Sequence, residues 1–269
     1  MTAGIPFPDI DPIAFSYGWF SIRWYSLAYL MGFLGGWRYG VYLVGLKLND
    51  KMRPNQDDID NIVAWIVIGV IIGGRLGYVL FYNLDYYLYD PWSIPLIWEG
   101  GMSFHGGLIG VAMVIILYAW RLGFSILRLG DVISCVVPIG LCLGRLANFT
   151  NGELFGRVTT VSWGVIFPDG GPLPRHPSQF YEAFLEGIVL LVVLGILAHR
   201  PSIRNKPGTL FGVFLIGYSI SRMIVELFRE PDPQIGFIFE YLSLGQILSL
   251  PMLIVGGVLV YVSQKGLTK

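Results

Sequence analysis

Charge is scarce in this sequence of 269 residues. Charged side chains make up 13% of it, hydrophobic side chains make up 54%, and the mean hydropathy is +0.64. A chain with this composition has too few charged residues to cover the surface of a soluble domain of this length. The 18 basic and 18 acidic residues cancel, so nothing suggests binding to nucleic acid. The composition predicts a polytopic membrane protein.

Residues and motifs that serve several enzyme classes are scarce too. The two cysteines, Cys135 and Cys142, have a spacing that fits neither a CxxC motif nor a zinc site, so we expect core thiols. No HExxH, GxSxG or Walker A pattern occurs, which argues against a metalloprotease, a serine hydrolase and an NTPase. No basic leader precedes a short apolar stretch, and we therefore expect no removable signal peptide.

Seven apolar runs are each close to the length of a helix that crosses the ~30 Å hydrocarbon core of a membrane. They lie at about residues 20–44, 60–82, 97–120, 131–149, 177–198, 209–228 and 243–263. No fixed-period repeat and no separate hydrophilic block is present, so we expect one transmembrane domain over residues 1–269. The prediction is an all-α polytopic membrane protein with about seven transmembrane helices.

Basic residues follow every second run. They are Lys47, Lys51 and Arg53; Arg121 and Arg128; Arg200, Arg204 and Lys206; and Lys265 and Lys269. The positive-inside rule places these connections and the C-terminus in the cytoplasm. The N-terminus and the alternate loops, which include "REPDPQIGFIFEY" from Arg229, then lie outside.

Four ionisable residues lie at similar depths in four different runs. Arg75, Arg145, Arg222 and His105 are each about 20 Å from the cytoplasmic end of their run, at a rise of about 1.5 Å per residue. Ionisable residues at such depths face a protein interior or a polar cavity rather than lipid. We therefore expect a polar site in the outer half of the bilayer.

The residue types at this depth indicate an anionic ligand. The planar guanidinium groups of Arg145 and Arg222 suit a phosphate. His105 is flanked by glycines, and nearby cations favour its neutral ring, the form that a general base needs. For Arg75, and for the acids Glu182 and Glu186, a role in packing helices together is as good an explanation as a role in function.

Two classes of protein fit these buried arginines. A transporter or channel for an anionic amphiphile would use the same arginines, but a transporter is expected to show two related halves or paired broken helices. Neither feature is evident in the sequence. An outer-half polar layer favours instead an enzyme whose substrate is an outer-leaflet phospholipid.

Four blocks of sequence resemble one known family, prolipoprotein diacylglyceryl transferase, a bacterial inner-membrane enzyme. The most specific is "GRLANFTNGELFG" from Gly144. The others are "HGGLIG" from His105, "GGRLGYVLFYN" from Gly73 and "RHPSQFYEAFLEG" from Arg175. The resemblance extends from "RWY" at Arg23 to "GQILSLP" at Gly245, which is nearly the whole chain.

The resemblance implies a reaction and its residues. The family transfers the diacylglyceryl group of phosphatidylglycerol to the lipobox cysteine thiol in the signal peptide of a prolipoprotein and releases glycerol phosphate. It needs no metal or cofactor, and its partners are these two substrates and membrane lipids. Matching positions assign phosphate contact to Arg145 and Arg222 and thiol activation to His105. Further residues expected to shape the substrate site are Tyr25, Arg75, Asn148, Glu153, Gly156, Tyr218 and Glu226.

Overall fold

The computed structural model describes residues 4–18, 20–46, 53–230, 237–238 and 242–267. Its α-helices are α1 Trp24–Gly45, α2 Gln56–Tyr82, α3 Leu84–Tyr89, α4 Phe104–Arg121, α5 Ile126–Thr150, α6 Ser178–Glu182, α7 Leu190–Ala198, α8 Pro201–Arg204, α9 Thr209–Val225 and α10 Leu244–Gln264. Three 3₁₀ turns lie at Pro91–Ser93, Ile97–Glu99 and Pro168–Gly170. A π-helical stretch, Ala183–Val189, joins α6 to α7, so Ser178–Ala198 is one continuous helix.

Short strands accompany the helices. Strand β1 (Ile5–Pro6) pairs in parallel with β4 (Val165–Ile166). The other two pairs are antiparallel: β2 (Ile13–Tyr17) with β3 (Phe20–Arg23), and β5 (Phe237–Ile238) with β6 (Leu242–Ser243). None of these strands exceeds five residues, so the all-α prediction is confirmed.

Helices occupy all seven regions in which spans are predicted. Among the described residues, five helices are long and apolar enough to cross a membrane: Gln56–Tyr82, Phe104–Arg121, Ile126–Thr150, Ser178–Ala198 and Leu244–Gln264. Thr209–Val225 is apolar but shorter, and α1 is rich in Tyr, Trp and Gly. The chain is thus a multi-pass membrane protein, and the count of seven spans stays a prediction.

Some orientation signals fall outside the described residues. These are Lys47, Lys51 and Lys269, together with most of the "REPDPQIGFIFEY" segment. The topology with the N-terminus outside therefore stays a prediction.

The chain forms two compact units. Unit 1 comprises Met1–Gly40 with Asp131–Lys269, and unit 2 comprises Val41–Gly130. The expectation of a single transmembrane domain over residues 1–269 stays a prediction.

Close glycine contacts hold unit 2 together. Helices α2 and α4 pack through Gly73 and Gly77 on one side and Gly106 and Gly110 on the other. A Cβ placed on Gly77 would lie 2.6 Å from the Cα of Gly106. Only glycine allows the two backbones to approach so closely, as the i, i+4 glycine spacing indicates.

A capping contact between helices sets the register of α9 against α5 in unit 1. The buried Asp131 side chain, near the start of α5, accepts hydrogen bonds from the backbone N–H groups of Gly208 and Phe211, both at 2.8 Å. A carboxylate at this position satisfies N–H groups that have no partner within their own helix. Arg145 lies about 21 Å along α5 from Asp131, and Arg222 lies about 21 Å along α9 from Gly208, at 1.5 Å per residue. The cap therefore brings the two arginines to a similar height.

Candidate functional site

Six charged side chains of unit 1 form an arginine–carboxylate cluster. They come from α5, from the helix Ser178–Ala198, and from α9 with the residues directly after it. The members are Arg145, Glu182, Glu186, Arg222, Glu226 and Arg229. The structure thus brings together the two arginines that the sequence analysis assigns to phosphate contact.

Glu182 is the centre of the cluster. It is fully buried, and its carboxylate lies 2.7 Å from Nε of Arg145, 3.2 Å from Nη1 of Arg222 and 3.3 Å from Nη1 of Arg229. Since one carboxylate contacts three guanidinium groups, it holds Arg145 and Arg222 side by side. The side chains of Arg145 and Arg222 are 19% and 15% exposed, so a ligand can still reach them.

The C-terminal end of α9 is tied to the chain at Gly156 and Arg157, where the block "GRLANFTNGELFG" ends. Arg222 contacts Glu226 at 2.5 Å, one helical turn further on. Arg157 donates hydrogen bonds to the backbone carbonyls of Glu226 at 3.1 Å and Arg229 at 2.8 Å. Gly156 forms a β-bridge with Arg229 and packs against the Phe228 carbonyl and the His176 side chain, where a Cβ would collide. Gly156 is therefore required for this close approach.

Glu186 differs from the other acids of the cluster. It is fully buried in the π-helical stretch, and within the described part of the chain neither of its carboxylate oxygens has a hydrogen-bond partner. Nη2 of Arg145 lies at 3.7 Å and Nη1 of Arg222 at 3.9 Å. These distances permit charge attraction but exceed those of a hydrogen bond.

The block "GRLANFTNGELFG" forms an amide–carboxylate network at the end of α5. The Glu153 carboxylate accepts hydrogen bonds from the side-chain amides of Asn148 at 2.8 Å and Asn151 at 3.3 Å. The buried Gln179 amide donates to the Glu153 backbone carbonyl at 2.6 Å. Glu153 thus orients the two asparagines, and the expectation that Asn148 and Glu153 shape the substrate site stays a prediction. Both residues lie on the segment that follows Arg145.

The two predicted tyrosines lie beside these charges. The Tyr218 ring stacks on Phe214, with centroids 5.9 Å apart, and its hydroxyl interacts electrostatically with Glu186 and Arg222. The Tyr25 hydroxyl lies 3.2 Å from that of Tyr29 and interacts electrostatically with Glu153 and Arg145. Both tyrosines therefore lie within electrostatic range of these charges, and their contact with a ligand stays a prediction.

A hydrogen-bonded chain of side chains was not anticipated from the sequence. Trp163 Nε1 donates to the Tyr181 hydroxyl at 2.7 Å, and this hydroxyl lies 3.1 Å from Nδ1 of His176. Because an indole only donates, the Tyr181 hydrogen is available to His176. Burial lowers the pKa of His176, which favours its neutral ring. Trp163 is 18 residues from Tyr181 in the sequence, and His176 and Tyr181 are residues of ordinary type. No spacing in the sequence therefore predicts these hydrogen bonds.

Arg75 in unit 2 binds backbone carbonyls. Its guanidinium donates to Ile94 and Ser93, both at 2.7 Å, and to Leu96 at 3.2 Å, and it also contacts Gly100 and Gly101. It lies over the Tyr87 ring with 5.1 Å to the centroid. All three nitrogens are thus engaged with the segment between α3 and α4. Its assignment to substrate binding stays a prediction.

His105 lies one residue into α4, where Ser103 caps the helix by accepting a hydrogen bond from Gly106 N. Its ring is exposed and meets the Phe104 ring edge-on at 5.7 Å. Arg75 and Ser103 are linked indirectly, since Arg75 binds the carbonyls of Gly100 and Gly101 just before the cap. Arg75 therefore helps to place the start of the helix that carries His105.

The described residues contain no group of three or more His, Cys, Asp or Glu side chains arranged to hold a metal ion. The chemistry available in unit 1 is that of guanidinium groups balanced by carboxylates. Such an arrangement suits an anionic ligand, because a phosphate can accept the paired N–H donors of both arginines.

Comparison with known proteins gives consistent matches over most of the chain. The family model described as Prolipoprotein diacylglyceryl transferase matches residues 12–262. Three similar proteins are each named phosphatidylglycerol–prolipoprotein diacylglyceryl transferase. That of Rhodospirillum centenum is 54% identical over 257 residues, covering 94% of this chain and 92% of its own length. That of Azospirillum brasilense is 54% identical over 254 residues, covering 94% of each. That of Rhodospirillum rubrum is 50% identical over 269 residues, covering 98% and 96%.

Proposed function

This chain belongs to the prolipoprotein diacylglyceryl transferase family, and we propose that it transfers the diacylglyceryl group of phosphatidylglycerol to a prolipoprotein, with Arg145 and Arg222 holding the lipid phosphate. The observation that carries this assignment of residues is the contact of both arginines with one carboxylate, that of Glu182. Two guanidinium groups held at fixed spacing form a receptor for a single phosphate group.

The transfer forms one bond and breaks one bond. The cysteine sulfur, as a thiolate, attacks the glyceryl carbon, and a thioether S–C bond forms. The bond between that carbon and the phosphate oxygen breaks, and its electron pair leaves with glycerol phosphate. Negative charge grows on the departing phosphate, and positive groups already in place stabilise that charge without reorganising. This is the role that we assign to Arg145 and Arg222.

The thiol proton needs an acceptor, and we assign it to His105. Its ring is exposed at the first turn of α4, and a neutral imidazole can accept the proton from the attacking cysteine. We assign substrate contact also to Tyr25, Asn148, Glu153, Gly156, Tyr218 and Glu226. Arg75 supports the segment before His105 in this proposal, and its substrate contact stays a prediction.

The finer features of the substrates and location are part of the same proposal. The acceptor is the lipobox cysteine of a prolipoprotein signal peptide, and the protein lies in the bacterial inner membrane with its N-terminus outside. The positive-inside distribution of Arg121, Arg128, Arg200, Arg204 and Lys206 supports this orientation.

The product identifies the function. Purified protein is incubated with phosphatidylglycerol and a lipobox peptide, and the products are separated by mass spectrometry. We expect a peptide carrying a thioether-linked diacylglyceryl group and an equal amount of free glycerol phosphate. A peptide whose cysteine is replaced by serine is the control and stays unmodified. Binding of the lipid without either product, across several detergents, would contradict the proposal and favour a transporter or channel for an anionic amphiphile.

A further inference from the structure

Glu186 is a buried acid that the proposed reaction does not use. Its side chain is fully buried, and both carboxylate oxygens lack a hydrogen-bond donor within the described residues. A buried carboxylate without hydrogen bonds costs free energy that pairing at 3.7 and 3.9 Å offsets only in part. A π-helical stretch such as Ala183–Val189 is itself uncommon and is frequent at functional sites.

The other two acids of the arginine–carboxylate cluster are better stabilised in their charged form. Glu182 has guanidinium nitrogens at 2.7, 3.2 and 3.3 Å. Glu226 has one at 2.5 Å. Hydrogen bonds to a carboxylate favour its charged state, so Glu186 is the acid of the three that accepts a proton at the lowest cost.

The net charge of the arginine–carboxylate cluster is zero when all its acids are ionised, so the cluster has no excess positive charge to balance an anionic ligand. Its three arginines are balanced by its three carboxylates. A phosphodiester that binds to Arg145 and Arg222 adds a negative charge beside Glu186, and like charges at short range in a buried site repel strongly. Neutralising one carboxylate restores the balance.

We propose that Glu186 takes up a proton when the anionic phosphate of the lipid binds to Arg145 and Arg222. This inference rests on the proposed function. The proton comes from the aqueous solution and forms an O–H bond on the Glu186 carboxyl group. By linkage, protonation of Glu186 and binding of the lipid phosphate strengthen each other. Glu186 thereby couples lipid affinity to pH without taking part in the transfer itself.

Titratable groups face Glu186 from each neighbouring helix. Arg145 and Cys142 lie on α5, and the Cys142 backbone and side chain lie against Gly187. Glu182 lies one turn before Glu186 on the same helix, and Tyr218 and Arg222 lie on α9. Arg229 interacts electrostatically from the segment after α9. Among these groups, the remaining carboxylate is the hydrogen-bonded Glu182, so Glu186 is the expected proton acceptor.

Calorimetry of lipid binding measures the proton directly. Full-length protein in detergent is titrated with short-chain phosphatidylglycerol, without peptide, in two buffers that differ in their enthalpy of ionisation. The difference in heat gives the protons taken up per lipid bound. We expect an uptake between zero and one proton, with affinity that falls as pH rises, by up to about tenfold per pH unit. Uptake of no proton by the wild-type protein would overturn the inference.

Three variants separate the inference from the proposed function. Glu186→Gln is neutral at every pH, so it should bind the lipid with no proton uptake and a flat pH dependence. Glu230→Gln makes the same change at an acid paired with Arg175 outside the cluster, and it should behave as the wild type does. Uptake that persists in Glu186→Gln contradicts the inference. If Arg145→Lys leaves lipid affinity and turnover unchanged, the assignment of phosphate contact to Arg145 fails, whereas the proposed function itself fails only if the wild-type protein forms no lipidated peptide.

A second measurement does not depend on the Glu186 variant folding. Infrared difference spectra of the wild-type protein are recorded with and without a diether phosphatidylglycerol, which has no ester carbonyls to overlap the carboxyl band. We expect a new stretching band of a protonated carboxyl group on binding. A spectrum without that band, under conditions in which calorimetry shows saturation, would overturn the inference.

Discussion

Arg75 in unit 2 and the arginine pair in unit 1 show two ways to keep an arginine inside a membrane protein. Arg75 is buried and donates to backbone carbonyls of one connecting segment, among them Ser93 and Ile94 at 2.7 Å. Arg145 and Arg222 instead share the Glu182 carboxylate and keep 19% and 15% side-chain exposure. The sequence places all three at similar depth, so depth alone does not reveal the role of an arginine.

The hydrogen-bond and ion-pair partners of each arginine indicate what it can do. Backbone carbonyls are neutral and engage all three nitrogens of Arg75, so this arginine is a clamp on the chain that leads to His105. Carboxylates hold Arg145 and Arg222 by charge, and a phosphate competes for the same N–H groups because it is an anion too. We therefore expect a phosphate-binding arginine in an anionic, partly open environment such as that of Arg145 and Arg222, while the substrate contact of Arg75 stays a prediction.

The largest effect is expected in unit 2, at His105. His105→Gln keeps a hydrogen-bonding side chain but removes the base, which is worth about 10² to 10⁴ in rate. Raising the pH supplies thiolate without a base, because a free cysteine has a pKa of about 8.5. We therefore expect partial recovery of the initial rate of peptide lipidation between about pH 6.5 and about pH 9.5. A variant that gains nothing relative to the wild type at high pH would show that His105 is not the base.

The next largest effect is expected at the arginine pair. Lysine at position 145 or 222 keeps the charge but loses the planar two-point contact with the phosphate. Losing one such donor costs about 2.7 to 4 kcal/mol, or about 10² to 10³ in rate. High pH should not rescue either variant beyond the wild-type trend, which separates phosphate stabilisation from thiol activation. The same lipidation assay checks this, and near-normal turnover of both variants would refute the assignment.

A smaller effect, on stability rather than rate, is expected from Arg75→Lys. A lysine offers three donors from one nitrogen and cannot reach carbonyls that Arg75 contacts through three nitrogens, so buried carbonyls lose partners at about 1 to 3 kcal/mol each. We expect a lower apparent melting temperature in detergent. Arg145→Lys is the matched control, because a point charge still pairs with Glu182. Equal melting temperatures for both variants would remove the distinction between a clamp and a binding arginine.

Much of the candidate site follows from its sequence pattern. Arg222, Glu226 and Arg229 lie at i, i+4 and i+7 on α9 and its end, a spacing at which Arg and Glu can pair, and the first two do form an ion pair. The glycines at i and i+4 pack α2 against α4. The pattern does not reveal that Glu182 serves three arginines, because its contacts come from α5 and from beyond α9. Nor does it reveal that the Glu186 carboxylate has no hydrogen-bond partner among the described residues, since this depends on side chains from two other helices.

The class of protein, the positions of its helices and its family all follow from the sequence, because they depend on runs of apolar residues and on local blocks such as "GRLANFTNGELFG". The partners that charged residues meet on other helices depend instead on the tertiary structure. Asp131 caps α9 across a gap of more than seventy residues, and Arg75 binds carbonyls rather than an acid. Local patterns follow from spacing along one helix, whereas the energy of a buried charge depends on the groups that other helices bring within about 4 Å of it.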